Sequence, residues 1–331
     1  MLPQLPLGKT DIRISRVGLG TVKLGRNQYV KYPEAFELPS DAHARQLLHC
    51  ARDYGINLLD TAPAYGVSEE RLGYLLRGER KEWVICTKAG EEFSRDYEST
   101  LGQNTGTTNF DFEATALRKS VERSLRRLRT DYIDIVLIHS DGNDEHLIHH
   151  HQVLHTLSEL KRAGWIRAFG MSTKTIKGAL LCAGQADVVM TTYDPNKKSD
   201  IALMQSCAAQ KTGVLLKKIF NSGHLFSSDS SHANDFLHST DTLHSYDTLH
   251  SNDTLQSNGL SHSDGLLHSN DPLQANEKKN PSVNAIIEQQ MTVIFAQSAV
   301  NSAIIGTLNC EHLRSNVQCA LLGLAENGLL A

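Results

Sequence analysis

The sequence predicts an α/β fold in which eight parallel strands close into a (β/α)8 TIM barrel. First, short apolar runs alternate with helix-period segments over residues 16–222 and again after residue 283, which is typical of βαβ units and a parallel sheet. Second, there are eight such units, the number found in a TIM barrel. Third, no glycine-rich GxGxxG follows an early strand, whereas the competing doubly wound open sheet would favour one.

The predicted barrel strands are the short apolar runs. They lie, in chain order, at Val17–Leu19 (within 16–20), Ile56–Leu59, Trp83–Cys86, Ile133–Ile138, Ile166–Phe169, Val188–Met190, Val214–Leu216 and 302–306. The helical segments lie at 41–54, 68–77, 113–129, 145–163, 174–184, 198–212, 284–298 and 309–324. Ser40 and Ser68 are start signals for the first two helices. An N-terminal hairpin, with residues 8–11 as its turn, is predicted to close the barrel floor.

One segment, residues 227–280, does not follow this alternation. Its core is a six-residue repeat (HSTDTL, HSYDTL, HSNDTL and three variants) rich in Ser, Asn, Asp and His. A hexapeptide period is compatible with a β-solenoid, but each coil would bury little beyond one leucine. We therefore predict a single barrel domain over 1–331, carrying a disordered low-complexity insertion at 227–280 after strand 7.

Composition and charge exclude several classes of partner. The net charge of −4 gives no electrostatic reason to expect nucleic acid or an anionic membrane. No run of about eighteen apolar residues could span a bilayer, and the N-terminus shows no signal-peptide pattern. The six cysteines form no CxxC pair or framework spacing, which indicates reduced thiols. We expect a monomer in the cytoplasm.

Four polar residues follow three neighbouring strands where each strand ends. Asp60 ends the second strand and Tyr65 follows it in "LLDTAPAYG", Lys88 lies in "VICTKAG", and His139 lies in "IDIVLIHSDG". A rim lysine is usually a solvated charge, and a rim histidine usually caps or packs. The active site of a TIM barrel, however, lies at the carboxyl ends of its strands. All four residues are therefore candidates for one catalytic site.

The chemistry of this set is proton transfer to a carbonyl oxygen. A phenol has a pKa of about 10 and donates poorly at neutral pH. A nearby ammonium favours the phenolate and lowers that pKa, and a carboxylate fixes the ammonium in place. Asp60 would hold Lys88 in place, and Lys88 would lower the pKa of Tyr65. Tyr65 would then protonate a developing alkoxide. His139 would orient the same oxygen, and a cofactor must supply the hydride.

Six motifs together resemble the aldo-keto reductase superfamily over the whole chain except 227–280. They are "LGKTDIRISRVGLGT", "GINLLDTAPAYGVSEERLG", "VICTKAG", "SVERSLRRLRTDYIDIVLIHSDG", "GWIRAFGMST" and "SAIIGTLNCEHLRSN". The resemblance implies a TIM barrel that uses NADP(H), or alternatively NAD(H), without a Rossmann domain. It also implies a catalytic tetrad that falls on Asp60, Tyr65, Lys88 and His139.

The resemblance further implies cofactor contacts after several strands and in the loop and helix that follow the last strand. They fall on Gly20, Thr21, Ser172, Thr173, Lys218, Gly306, Thr307, Asn309, His312 and Asn316. This chain departs from the family pattern at several of them. Thr173 and Met190 stand where family members usually have the Asn and Gln that bind the carboxamide of the nicotinamide. Lys217 or Lys218 stands where many members stack a tyrosine. His312 replaces an arginine that clamps the 2′-phosphate, for which Arg314 could substitute.

A metal site is the weaker interpretation of the histidine-rich segment "HLIHHHQVLH". His146 with His150, and His151 with His155, have the i,i+4 spacing of zinc ligands on a helix. No HExxH frame is present, and this helix is predicted to pack outside the barrel. We therefore predict no metal.

Three functions are compatible with these features. The leading one is an NAD(P)H-dependent reductase of a small aldehyde or ketone. The same site run in reverse would be an NAD-linked sugar or alcohol dehydrogenase. A low-turnover, cofactor-binding regulatory subunit is the third. The sequence does not specify the substrate, because loops choose it in this fold.

Overall fold

The computed structural model describes residues 1–30, 32, 35–96, 105–220 and 282–330. The predicted insertion at 227–280 lies outside the described residues. The remainder of the chain contains twelve described strands and ten described α-helices.

The predicted closed barrel is confirmed. Its strands are β3 (Val17–Gly20), β4 (Leu58–Asp60), β5 (Val84–Ala89), β8 (Ile133–His139), β9 (Ile166–Ser172), β10 (Val188–Thr191), β11 (Gly213–Leu216) and β12 (Val300–Ile305). Each pairs in parallel with the next in that order, and β12 pairs with β3 to close the ring, with Ala303 opposite Val17. All eight carboxyl ends therefore meet at one mouth.

Helices connect the strands around the barrel. They are α1 (Val22–Gly25), α2 (Asp41–Asp53), α3 (Ser68–Leu75), α4 (Ala114–Leu128), α5 (Asp144–His149), α6 (Val153–Arg162), α7 (Ile176–Ala183), α8 (Lys198–Gln210), α9 (Val283–Phe295) and α10 (Cys310–Glu326). The predicted single helix at 145–163 is wrong: it is two helices, because Gln152 adopts a left-handed φ of 50° between them. Among the described helices, none is long and apolar enough to cross a membrane.

The N-terminal hairpin consists of β1 (Gln4–Pro6) and β2 (Arg13–Ser15), paired antiparallel. Leu7, Ile12 and Ile14 are fully buried and belong to the same apolar cluster as the inward-facing strand residues. Gly8 has φ of 54°, and a Cβ there would stand 2.4 Å from the Gly213 backbone nitrogen. A glycine is needed at that turn, and the hairpin seals the amino-terminal end of the barrel.

Strand residues alternate between two apolar layers. Leu58 and Ile135 face the barrel interior, whereas Leu59 and Val136 belong to the larger cluster between strands and helices. Successive side chains of a strand point to opposite faces, so both faces of every barrel strand are covered. This is why the strands appear as continuous apolar runs in the sequence.

A second hairpin, absent from the sequence-based prediction, follows β5. Its strands are β6 (Glu91–Asp96) and β7 (Thr105–Phe110), paired antiparallel with Glu91 opposite Phe110. The segments EEFSRD and TGTTNF are polar and give little apolar alternation from which to predict strands. The hairpin brings Glu91 to the catalytic end of the barrel.

The expectation of six reduced thiols is wrong. Cys50 in α2 and Cys310 at the start of α10 form a disulfide, while Cys86, Cys182, Cys207 and Cys319 are free and buried. The two bonded cysteines are 260 residues apart in sequence. They meet only because barrel closure packs α10 beside α2, so no local spacing rule could have indicated the pair.

Candidate active site

The four predicted catalytic residues come from adjacent parts of the barrel mouth. Asp60 ends β4, Lys88 is the penultimate residue of β5, and His139 ends β8. Tyr65 closes a short 3₁₀ helix, Pro63–Tyr65, that turns the chain back after β4. Gly66 follows with φ of 62°, and a Cβ there would stand 2.4 Å from the Gly25 carbonyl oxygen. The tight turn that orients Tyr65 therefore depends on glycine.

Lys88 is a fully buried ammonium held by two acceptors. Its Nζ donates to Asp60 Oδ1 at 2.7 Å and to the Thr61 carbonyl oxygen at 2.9 Å. Burial alone would lower the pKa of Lys88, but Asp60 and Tyr65 outweigh it and raise that pKa above the ordinary value. Lys88 therefore stays charged at neutral pH.

Tyr65 lies against this ammonium. The Lys88 Nζ atom is 4.7 Å from the centroid of the Tyr65 ring. Burial raises the pKa of Tyr65, and Asp60 adds to that rise, while Lys88 lowers it by charge and hydrogen bonding. Lys88 thus acts in the predicted direction, but the net pKa lies above the ordinary phenol value. Burial outweighs the effect of Lys88, so Tyr65 is a neutral phenol at neutral pH.

His139 completes the set and has a neighbour that sequence reasoning missed. The Tyr65 and His139 rings meet edge to face, with centroids 6.3 Å apart. The His139 Nδ1 atom lies 2.8 Å from Glu91 Oε2, at an angle too bent for a good hydrogen bond. No strand signal in the sequence marked the polar segment that begins at Glu91.

The predicted contacts after β3 have structural partners. The Thr21 hydroxyl is fully buried, donates to the Asp60 carbonyl oxygen at 2.9 Å, and accepts from Ser68 Oγ at 2.8 Å. Gly20 pairs with Asp60 between β3 and β4. These residues hold the strand end that carries Asp60.

Ser172 and Thr173, which are predicted to contact the carboxamide, both accept hydrogen bonds from Lys217, which follows β11. Its Nζ donates to Ser172 Oγ at 2.9 Å and to the Thr173 carbonyl oxygen at 2.7 Å. Burial lowers the pKa of Lys217 to about 7, and Lys218 and Lys88 add to the effect. Of the two lysines considered, Lys217 reaches this part of the mouth, whereas Lys218 is exposed with φ of 56°.

The remaining predicted contacts cluster between β12 and α10. Gly306 and Thr307 follow β12, and Asn309 caps α10 by accepting from the backbone N–H groups of Glu311 and His312 at 2.7 and 3.4 Å. Asn316 is buried one turn further along, and His312 is exposed. Arg314 makes a 3.5 Å ion pair with Glu311.

Tyr32 is a further aromatic residue at the mouth that the sequence did not single out. Burial raises the pKa of Tyr32 to about 12, with a contribution from the charge of Asp60. Its hydroxyl would lie 3.5 Å from a Cβ placed on Gly306. The Lys23 ammonium lies 4.4 Å from its ring centroid. Tyr32 therefore stands between the tetrad and the segment after β12.

The histidine-rich segment forms a surface ring cluster. His146 stacks on His150 with centroids 4.6 Å apart and meets His151 edge to face at 5.2 Å. Within the described ranges, no group of three or more His, Cys, Asp or Glu side chains could hold a metal ion.

The fold and site together define a (β/α)8-barrel protein with an Asp–Tyr–Lys–His set at the carboxyl ends of its strands. The profile of the Aldo/keto reductase family matches residues 16–327. The chain therefore belongs to the aldo/keto reductase family, whose members are oxidoreductases that act on aldehydes and sugars.

Several known proteins are similar to this chain. A crystal structure assigned to the aldo-keto reductases of Pseudomonas aeruginosa shares 37% identity with a TM-score of 0.69, covering 97% of this chain and 96% of its own. The NADH-specific methylglyoxal reductase of Escherichia coli is 32% identical over 58% of this chain and 59% of its own length. The D-threo-aldose 1-dehydrogenase of a Pseudomonas species is 26% identical over 66% of this chain and 69% of its own. An uncharacterised Bacillus subtilis oxidoreductase is matched over 47% of its length.

Proposed function

We propose that this protein is an NAD(P)H-dependent oxidoreductase that reduces the carbonyl of a small aldehyde or ketone, with Tyr65 as the proton donor. The observation that carries the proposal is the buried Lys88 ammonium, bonded to Asp60 at 2.7 Å and lying 4.7 Å from the Tyr65 ring centroid. A buried, paired cation beside a phenol is an arrangement that can stabilise phenolate after a proton has left. Structural stability alone does not require it.

The donor set around the mouth fits a dinucleotide. Helix α10 begins there, and the dipole of this 17-residue helix favours an anion near its first turn, beside the Asn309 side chain that caps it. His312 and Arg314 add basic side chains, and Asn316 and Thr307 add buried polar groups. At the opposite side Ser172 and Thr173 supply polar atoms that Lys217 now occupies. A bound nicotinamide would therefore have to share or displace that lysine.

Tyr65, Lys88, Asp60 and His139 would each have a separate role in carbonyl reduction. When bound, the nicotinamide supplies the hydride. Tyr65 gives its hydroxyl proton to the developing alkoxide, and Lys88 stabilises the phenolate that remains. Asp60 keeps Lys88 charged and aimed at the phenol. His139 is a second candidate partner for the carbonyl oxygen, and the closed hairpin floor at the other end of the barrel leaves the mouth as the route of entry.

A second candidate is the reverse reaction, an NAD-linked sugar or alcohol dehydrogenase. Its support is the similarity to the D-threo-aldose 1-dehydrogenase, which is matched over 69% of its length. The absence of an arginine at position 312 also weakens the preference for NADP(H) over NAD(H). A low-turnover regulatory subunit is the third candidate, but it gives no reason for a preserved proton-donor geometry.

The expectations of a monomer, a cytoplasmic location and no nucleic-acid or membrane partner are part of the proposal. The Cys50–Cys310 disulfide removes the reduced-thiol argument for the cytoplasm, because persistent disulfides are rare there. The charge argument against nucleic acid is unaffected.

The deciding experiment is turnover with NADPH and NADH against aldehydes, ketones and aldoses, in both directions. Reduction of a small carbonyl that disappears in Tyr65→Phe supports the leading candidate. Faster oxidation of an aldose with NAD⁺ supports the second candidate. Cofactor binding without turnover of any compound would favour the regulatory subunit and refute the reductase.

A further inference from the structure

Arg26 is a buried guanidinium at the barrel mouth, directly after α1, and is only 9% exposed. Its Nη1 atom donates to the Ala64 carbonyl oxygen at 2.9 Å, its Nε atom to the Gln28 carbonyl oxygen at 2.9 Å, and its Nη2 atom to the Tyr29 carbonyl oxygen at 3.3 Å. A guanidinium presents its donors in a rigid planar fork. Three backbone carbonyl groups therefore fix the position of this side chain.

The Ala64 contact joins Arg26 to the turn that carries Tyr65. Ala64 is the middle residue of the 3₁₀ helix that ends at Tyr65. The backbones of the two segments also meet, because the Val67 N–H donates to the Gly25 carbonyl oxygen at 3.3 Å. A Cβ on Gly25 would stand 2.3 Å from the Tyr65 carbonyl oxygen. A shift of Arg26 would therefore move the peptide that precedes Tyr65.

The hairpin of β6 and β7 covers the guanidinium of Arg26. The Arg26 Cζ atom lies 3.8 Å from the centroid of the Phe93 ring on β6. Gly90, which precedes β6, has φ of 103°, and its carbonyl oxygen accepts from the Asp111 N–H at 2.9 Å, so the base of the hairpin is a tight turn. Strand β6 also packs against the 3₁₀ helix. Arg26 therefore contacts both the hairpin and the turn that carries Tyr65.

Arg26 has a positive charge that its three hydrogen-bond acceptors do not neutralise, because all three are uncharged carbonyl groups. Burial lowers the pKa of Arg26 from its ordinary value, while negative charge on Glu91 or Tyr65 raises it. The attraction between Arg26 and a negatively charged Tyr65 is mutual. The charge of Arg26 therefore acts in the same direction as that of Lys88 and favours the phenolate that remains once Tyr65 has given up its proton.

We propose that Arg26 is a positioning residue that holds Tyr65 in place for proton transfer by tying the turn that carries Tyr65 to the β6–β7 hairpin. In this role Arg26 acts through Tyr65 and not on the substrate. The inference rests on the proposed function, in which Tyr65 is the proton donor. A general acid must lie within hydrogen-bond reach of the atom that it protonates, and a small displacement of a catalytic group slows the reaction strongly.

The kinetic test is Arg26→Met, which removes the three donors and the charge but keeps a long side chain beside Phe93. We expect kcat for carbonyl reduction to fall by about tenfold to a hundredfold, as for a slightly misplaced catalytic group. The substrate KM and the cofactor Kd should stay near their wild-type values. Arg26→Lys should restore only part of the lost kcat, because one ammonium does not reproduce the planar fork. An unchanged kcat, a raised KM alone, or full rescue by lysine would overturn the positioning role.

Hydrogen exchange by NMR tests the turn itself, without cofactor or turnover. The Tyr65 N–H donates to the Ala62 carbonyl oxygen at 2.9 Å. In Arg26→Met this amide should exchange about tenfold faster or more, because the turn opens locally once its contact with Arg26 is lost. Phe93→Leu removes the ring that covers the guanidinium and should produce a smaller increase, and it provides the measurement if Arg26→Met does not fold. Exchange of the Tyr65 amide at the wild-type rate in these variants overturns the proposal.

The matched control is Arg71→Met on α3. Arg71 also donates to backbone carbonyl oxygens near α1, those of Leu24 and Pro39, each at 2.7 Å. Its loss should lower the unfolding free energy but leave kcat and the exchange of the Tyr65 amide unchanged. A loss of kcat as large as that of Arg26→Met would mean that general loosening near α1 is the cause, and would refute the specific role of Arg26.

The double variant Arg26→Met/Tyr65→Phe shows whether Arg26 acts through Tyr65. Its residual kcat should equal that of Tyr65→Phe alone, because residues that act as a unit are not additive, and a further fall contradicts the proposal. If Tyr65→Phe keeps its activity, the proposed function fails, whereas the exchange result still decides whether Arg26 holds the turn. A normal kcat in Arg26→Met beside an inactive Tyr65→Phe refutes this inference alone.

Discussion

Lys88 and Asp60 form a buried ion pair across the carboxyl ends of two adjacent strands. Their Nζ and Oδ1 atoms are 2.7 Å apart, and the side chains are 1% and 6% exposed. Lys88 also donates to the Thr61 carbonyl oxygen and lies beside the Tyr65 ring. Desolvating two charges is costly, and a buried pair often contributes no net stability. Its place beside a phenol at the barrel mouth supports a functional reason for it.

Replacing Tyr65 by phenylalanine removes the proposed acid and leaves the ring packing in place. We expect kcat for carbonyl reduction to fall by about 10²-fold or more, the usual contribution of general acid catalysis. The cofactor Kd, measured by fluorescence titration, should stay near the wild-type value. A variant that kept most of its activity would refute the role of Tyr65.

The Lys88–Asp60 pair should show strong energetic coupling. Lys88→Met leaves Asp60 buried without its cation and should cost about 3–5 kcal/mol of unfolding free energy, the usual cost of breaking a buried pair. The double variant Asp60→Asn/Lys88→Met should lose much less than the sum of the single variants. Urea unfolding of the four proteins measures this coupling. Additive losses would show that the two charges do not stabilise each other.

Lys217 should give the stability of the protein a pH dependence at alkaline pH. Its folded-state pKa is about 7, below the ordinary 10.5, so the unfolded chain binds more protons between these values. Stability then rises with pH across this window. Relative to Lys217→Met, the wild type should gain stability from about pH 7 to 10.5. Thermal unfolding across this range measures the difference.

The control for Lys217 is Lys177→Met, which removes a lysine whose side chain is 78% exposed. The stability difference between this variant and the wild type should not change across the same pH window. If the stability difference between the wild type and Lys217→Met also stayed constant with pH, Lys217 would not be held uncharged by its surroundings.

Arginine at position 312 should favour the phosphorylated cofactor. His312 is exposed in the first turn of α10, and a guanidinium can bind a phosphate through two hydrogen bonds. His312→Arg should therefore tighten NADPH binding more than NADH binding, as measured by isothermal titration. The control His155→Arg changes an exposed histidine on α6 and should alter neither the NADPH affinity nor the NADH affinity. Equal gains for both cofactors would place the 2′-phosphate elsewhere.

The disulfide between α2 and α10 should contribute to stability. A bond that closes a long loop restricts the unfolded chain and typically adds about 2–4 kcal/mol. Reductant should lower the unfolding free energy of the wild type by that order, measured by denaturant titration. Cys50→Ser should show the lower stability without reductant and no further response to it. A wild type insensitive to reduction would mean that the bond is absent or energetically neutral.

The sequence by itself determined the barrel and the catalytic candidates. Apolar runs such as "IDIVLI" and helix-period segments such as 113–129 predicted their elements within a few residues, because burial on both faces of a parallel strand leaves a local mark. Asp60, Lys88 and His139 were predicted to meet, because parallel strands bring their carboxyl ends to one edge. That inference needs only the order of the elements.

Tertiary structure alone decided the contacts that depend on exact placement. The 260-residue separation of Cys50 and Cys310 leaves no local signal, and their pairing follows from barrel closure. Only the backbone after β11 selects Lys217 rather than Lys218 to reach Ser172. Glu91 meets His139 because a glycine turn and a polar hairpin fold it back over the mouth. The sign of the Tyr65 pKa shift was likewise set by burial, because desolvation depends on everything packed around the phenol and not on its charged neighbours alone.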